Sequence, residues 1–194
     1  MLVSSVIGFY HKPYFHTLLL HPYEVYRGKR VHTLLTSAFV HRNWLHLLFN
    51  LVAVFGLVYD LFGCMKQEYG LFAAMAYSPA VIIFLMIIPN IIQIWIKRNN
   101  FLFTAVGSSG LSSGLFGFSF LFFPLQHINH LFIPWIKNAV HYGLYVFVIM
   151  ILLSSIRQLK INYSLHVTAY IIGSLMALLM RKESIFEIFY LFWD

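Results

Sequence analysis

The chain has 194 residues, 60% of them hydrophobic and only 10% charged, with 13 Lys+Arg against 6 Asp+Glu and a formal net charge of +7. A soluble domain carries about 25% charged residues, and no soluble core of this size hides that much apolar surface, so the composition excludes an ordinary water-soluble globule. The basic residues form short clusters between apolar runs rather than a stripe on one face, which reads as membrane-flank anchoring and not as nucleic-acid binding. Cys64 is the single cysteine, so an internal disulfide is impossible and there is no paired-cysteine metal motif.

In chain order, Met1 to Tyr10 is apolar but stops at His11-Lys12-Pro13. That is shorter than the ~20 residues a crossing needs, and it reads as the remnant of a helix. Leu20 to Val40 mixes Pro22, Gly28, basic residues and aromatics and reads as a substantial loop. Five apolar stretches follow: about Trp44 to Phe62, Leu71 to Ile96, from Asn99-Asn100 to about Leu125, about Leu131 to Ile156, and Ile161 to Met180. The second contains no charge but includes Pro79 and Pro89, and the fourth carries Lys137 near its start. Each suits a hydrocarbon core of about 30 Å. Backbone polar groups in lipid must be satisfied internally and no alternating barrel pattern is present, so helices are expected. The tail from Glu183 to Asp194 reads as an interfacial amphipathic helix or as a packing element.

Polar residues inside apolar spans are costly and mark candidate sites. His46 and Asn50 are four residues apart, hence one helical turn apart on one face, where both can donate into a buried pocket or simply join neighbouring helices. From Gly107 to Gly117, eight of eleven residues are Gly or Ser. Gly110 and Gly114 permit close helix contact. A serine at a glycine-flanked helix start also has an exposed hydroxyl, free N–H groups and the positive end of the helix dipole, which are the parts of an oxyanion site. His166 opens the last span and is followed by Ala169 and Gly173, a smooth stripe on its own face. A serine needs a base to take its proton, and histidine is the usual one near neutral pH. The first, third and fifth spans run the same way, so His46, the serines and His166 are expected near one membrane surface.

These residues resemble the rhomboid family of intramembrane proteases. His41, His46 and Asn50 are similar to its His-x4-His-x3-Asn motif, Gly107-Ser108-Ser109-Gly110 to its Gly-x-Ser-Gly nucleophile motif, and His166 with Ala169 and Gly173 to the base and small positions of its last helix. Gly56 and Asp60 resemble a Gly-x3-Glu feature. The match spans roughly residues 31–177. It departs from the family where the first helix is cut to residues 1–10, where His32-Thr33 replaces Trp-Arg, and at Asp60.

The resemblance implies an all-α, polytopic transmembrane bundle of about five spans plus the remnant, in one domain. Residues 1–43 would form the remnant and loop, 44–180 the core and 181–194 the tail. It further implies a serine endopeptidase with Ser109 as nucleophile and His166 as base, and an oxyanion hole from His46, Asn50 and the Ser109 N–H. Gly107, Gly110, His41, Gly114, Ala169 and Gly173 would support the motifs. Ser112 is the reserve nucleophile, in a register where Ser113 stands in place of Gly. No metal or cofactor is implied; the partners would be transmembrane substrates and the bilayer, in a bacterial inner membrane. The family places the catalytic face outside, whereas the larger cluster of bases (Lys12, Arg27, Lys29, Arg30, Arg42, Lys97, Arg98, Arg157, Lys160) lies on that same side and points to the cytoplasm.

Overall fold

A computed structural model describes residues 1–128, 136–155 and 162–191. Arg157, Lys160, the start of the expected fourth span and the Phe192-Trp193 end of the tail lie outside the described residues. What is described is helical: α1 (Leu2–Tyr10), α2 (Lys12–Leu18), α3 (Pro22–Val25), α4 (Thr33–Thr36), α5 (Trp44–Tyr69), α6 (Leu71–Lys97), α7 (Ser109–Phe122), α8 (Ala139–Ser155), α9 (Tyr163–Met180) and α10 (Glu183–Leu191).

Three of these helices, α5, α6 and α9, are long and apolar enough to cross a membrane. Their outward faces carry exposed Leu48, Phe49, Val52, Phe55, Phe72, Ile83 and Leu179, the pattern of a bundle solvated by lipid rather than water. The protein is an integral membrane protein with an all-α bundle fold.

The remaining two expected spans are corrected. The third was expected from residues 99–100 to about 125, but α7 covers only 14 residues, about 21 Å at 1.5 Å per residue. Residues 101–108 enter it as irregular chain. This segment is held by paired backbone bonds, Leu20 N–H to the Ala105 carbonyl (2.9 Å) and Ala105 N–H to the Leu20 carbonyl (3.0 Å), and by Gly107 N–H to the Ser37 carbonyl (2.9 Å). Irregular backbone at such a place survives where protein satisfies its polar groups, and here the 20–40 loop does so. The fourth helix begins at Ala139, so Lys137 precedes it instead of lying within it. In the other direction, the first span extends past Phe62 to Tyr69, carrying Gly63 within the helix and ending at Gly70, whose φ is +83°.

The short α7 is the hub. Its residues from Gly110 to Leu115 are all buried, and Leu115, Phe118 and Phe122 join Leu57, Leu61, Met65, Val81 and Leu85 in the principal core. Its closest neighbour is α9. A methyl group placed on Gly173 would overlap the Gly114 carbonyl oxygen, and one on Gly117 would overlap that of Tyr170. Ser174 Oγ bridges the same seam by donating to the Gly117 carbonyl at 3.2 Å. In lipid, apolar surface gives helices no reason to leave the solvent, so this close backbone approach is what favours the pairing.

Both ends of the seam are clamped. At the end away from Ser109, Arg181 donates to Glu68 (3.1 Å), Glu187 (2.5 Å) and the Phe122 carbonyl (3.2 Å), while Ser184 Oγ donates to the same carbonyl at 2.7 Å. The last carbonyl of α7, an orphan of the helix end, thereby finds two partners. α10 is present as expected for the tail; it buries Ser184 and exposes Ile185, Phe186 and Phe189. At the other end, Gln93 of α6, fully buried, accepts from Ser164 Oγ at 2.8 Å and donates to Asn162 Oδ1 at 3.4 Å, fixing the start of α9.

Gly117→Ala and Gly173→Ala should each destabilise the bundle by about 1–3 kcal/mol or more, the cost of overpacking against backbone that cannot yield. Gly56→Ala is the control: it sits mid-helix in α5 with nothing within 4 Å of its added carbon, so it should be neutral or stabilising by up to about 1 kcal/mol. Thermal unfolding of the three variants in detergent checks the order; equal behaviour would contradict the close-contact role.

Candidate active site

The site assembles at one end of the bundle, where α5, α7 and α9 all begin. Asn43 caps α5, its Oδ1 accepting from His46 N–H at 2.8 Å, which puts His46 in the first turn. The His46 ring lies over Gly107: a carbon added to Gly107 would stand 2.6 Å from Cε1 and 2.8 Å from Nε2. Gly107 also has φ +99°, a backbone that side-chain-bearing residues rarely adopt. Two independent demands, space and dihedral, therefore fall on one residue at the mouth of the serine segment.

Asn50 is buried, and its Nδ2 donates to the His46 carbonyl at 2.8 Å. The expectation that both side chains donate into the pocket is corrected for this N–H of Asn50, which braces the helix turn carrying His46.

His41 is completely buried and joined on both sides. Ser108 N–H donates to its Nε2 at 3.4 Å. With that nitrogen accepting, Nδ1 carries the proton and donates to Ser5 Oγ at 2.9 Å, and Ser5 in turn donates to the Phe39 carbonyl at 3.1 Å. Helix α1 is thus coupled through Ser5 and His41 to the residue before Ser109. Burial, and next the neighbouring His46, push the His41 imidazole down to about 4; a proton on Nε2 would also eject the Ser108 N–H.

Ser109 is the first residue of α7, half-buried. At this position its N–H, like those of Gly110 and Leu111, has no intrahelical acceptor. Ser112 is buried with its hydroxyl donating to the Ser108 carbonyl at 3.2 Å. Gly110 faces Leu165 and Gly114 faces Leu85 and the Ala169 carbonyl, so Gly110, Gly114, Ala169 and Gly173 all serve the α7–α9 seam.

His166, in the first turn of α9, is where the structure and the expectation differ. Its Nδ1 lies 3.1 Å from the hydroxyl of Ser113, and Ser113 Oγ also donates to the Ser109 carbonyl at 2.9 Å. Among the described residues no hydrogen bond joins His166 to Ser109. The imidazole meets the serine one turn further down the same face of α7. Sequence reading had noted Ser113 only as the residue that spoils the Ser112 register. The signal available was its position, four residues after Ser109 and therefore on the same helical face. Gln93 and Ser5 were missed as well, the first hidden in an uncharged apolar run and the second in a stretch too short to cross.

A cavity of about 350 Å³ lies beside this cluster, lined by Gly8, Phe9, Lys12, His16, His41 and Arg42 among others. It shares His41 with the site but includes none of Ser109, Ser113 and His166.

The arrangement is a helix N-terminus with a half-exposed serine, a histidine overhead, and a second histidine reaching the same helix face from a partner held at backbone contact. Residues 28–183 match the family model of the Rhomboid domain. The chain belongs to the rhomboid family. No curated protein matches it. The membrane location follows from both the family and the apolar helices.

The His41 network carries a pH prediction. The unfolded chain takes up a proton near the ordinary histidine value of about 6.5 while the folded one resists until about 4, so the unfolded state binds more protons between the two. Stability is then fully present above about 6.5 and falls as pH drops toward 4, by on the order of 3 kcal/mol. Thermal midpoints in detergent from pH 7 to 4 should decline more steeply for the unaltered protein than for His41→Asn; parallel slopes would contradict it.

Proposed function

We propose that this rhomboid protein is an intramembrane serine endopeptidase that cleaves transmembrane protein segments, with Ser109 as nucleophile and His166 as general base. The observation that carries it is the hydrogen bond from α9 to α7: His166 engages Ser113, one helical turn from Ser109 and on the same face. Ser113 itself is unsuited to attack, because it is buried and its own N–H lies inside the helix ladder, leaving no free donor beside it. Ser109 has the free N–H and the exposure.

In the acylation step Ser109 Oγ forms a bond to the scissile carbonyl carbon and its proton passes to His166 Nε2. The carbonyl oxygen becomes an oxyanion facing the Ser109 N–H, with His46 above Gly107 as a further donor and Asn50 bracing it. Collapse breaks the C–N bond, and His166 returns the proton to the leaving amine. Water then repeats the sequence on the acyl-enzyme, its proton going to His166 and then to Ser109 Oγ as the carboxylic product leaves. No cofactor enters. The short α7 suits this chemistry: its N-terminus begins inside the bundle, after a loop-supported segment, where a transmembrane substrate can reach it.

The membrane is proposed to be a bacterial inner membrane with the catalytic face outward, and residues 1–194 a single domain. A second reading, a rhomboid relative that binds membrane clients without cutting them, is favoured by the missing Ser109–His166 hydrogen bond; catalytic hydrogen bonds of unliganded enzymes commonly tighten only with substrate.

A fluorophosphonate probe separates the two. Detergent-solubilised protein should take the label, Ser109→Ala should abolish it, and Ser112→Ala should retain it. Absence of label from folded, unaltered protein would contradict the protease reading and point to client binding or transport instead.

A further inference from the structure

Resting on the protease reading above, we infer that Ser113 is a positioning residue that fixes the tautomer and orientation of His166. Three observations on one hydroxyl carry this. Ser113 is buried, so no water competes for its oxygen. Its hydroxyl proton is committed, because Oγ donates to the Ser109 carbonyl at 2.9 Å, the bond that serine characteristically makes to the carbonyl four residues back in a helix. The same oxygen lies 3.1 Å from His166 Nδ1.

A hydroxyl has one proton to give and lone pairs to accept with. With the proton spent on the Ser109 carbonyl, the oxygen can only accept from His166. Nδ1 must then be the protonated nitrogen of the neutral ring, which leaves the lone pair on Nε2. That is the atom a base needs free to take a proton from Ser109. The geometry is the one a buried carboxylate provides behind the histidine of a serine-protease triad, supplied here by a neutral side chain in a place where an unpaired carboxylate would be costly. The hydroxyl also ties the base to the nucleophile's own peptide group: Ser109 C=O, Ser113 Oγ and His166 Nδ1 form one chain, so a shift of α9 is felt at the nucleophile. The Gly114–Gly173 contact immediately below holds that chain at its length.

Two measurements test it. In protein carrying 15N-labelled histidine, with His166 signals assigned by difference against His166→Gln, the neutral ring should be the Nδ1–H tautomer; in Ser113→Ala the proton should redistribute toward Nε2. In fluorophosphonate inactivation, Ser113→Ala should lower kinact by about 10- to 100-fold, of the order seen when the partner that orients a metal-bound imidazole is removed, with KI little changed. Ser113→Thr keeps the hydroxyl and should recover most of the rate. Should Ser113→Ala fail to fold, Ser113→Cys, nearly the same shape with a weak acceptor, serves for both readouts. An Nε2–H ring in the unaltered protein, or kinact unmoved in the variant, overturns Ser113's role. An unaltered protein that takes no label while its His166 carries Nδ1–H overturns the protease assignment and, with it, any catalytic role for Ser113, while leaving the contact itself established.

Discussion

The backbone-to-backbone contact between α7 and α9 is the constraint from which the rest of this molecule follows. Gly117 and Gly173 leave no room for a side chain along the seam and Gly114 leaves little, and in a bilayer such close approach is the principal attraction between apolar helices. Once the two helices meet there, residue numbering does the rest. Ser113 precedes Gly114, His166 stands one turn before Ala169 and Tyr170, and the two side chains are delivered to one another. A seam even one methylene wider would separate a hydroxyl and an imidazole that now share a hydrogen bond.

The two ends of the seam are stabilised by different chemistry. Away from Ser109, Arg181 gathers two carboxylates and the terminal carbonyl of α7, so a partly buried cation is well paired. A pair of this kind contributes more through geometry than through net Coulomb energy. Around Ser109 the hydrogen-bonded side chains, Ser5, His41, Ser108, Gln93 and Ser164, are neutral, with the cations Lys12 and Arg42 beside them at the adjoining cavity. A neutral network suits a site whose histidines must stay uncharged until a proton arrives. It also gives the short helix α1 a role in the fold. Its Ser5 completes the partners of a buried imidazole that would otherwise carry an unsatisfied polar atom.

Much of this was legible in the sequence. The apolar runs declared a helical membrane protein, and the three motif sets declared the family. The small residues after His166 announced a close helix partner. What could not be read was depth and partner choice. The third apolar stretch has the composition of a full span, yet α7 is only 14 residues long, because Leu20 and Ser37 satisfy the backbone that leads into it. Hydropathy does not register an irregular segment whose polar groups are bonded from elsewhere. In the same way Asn50 was visible as a polar residue on the right face, and Ser113 was passed over, because whether a side chain turns to its own helix or across to another depends on distances of a few tenths of an ångström. Lys137 was expected near the start of a helix for a related reason: hydropathy registers one apolar run there, although α8 begins only at Ala139 and Pro134 was a sequence signal against a helix running through it.

The most direct measurement is an experimental structure, in lipid or detergent, of the protein after reaction with a fluorophosphonate. The expected result is a phosphonyl group on Ser109 Oγ, its oxygen toward the Ser109 N–H and His46, with His166 still against Ser113 and α7 still touching α9 at Gly114 and Gly173. An adduct on another serine, or helices α7 and α9 parted so that His166 is out of reach of both serines, would contradict it.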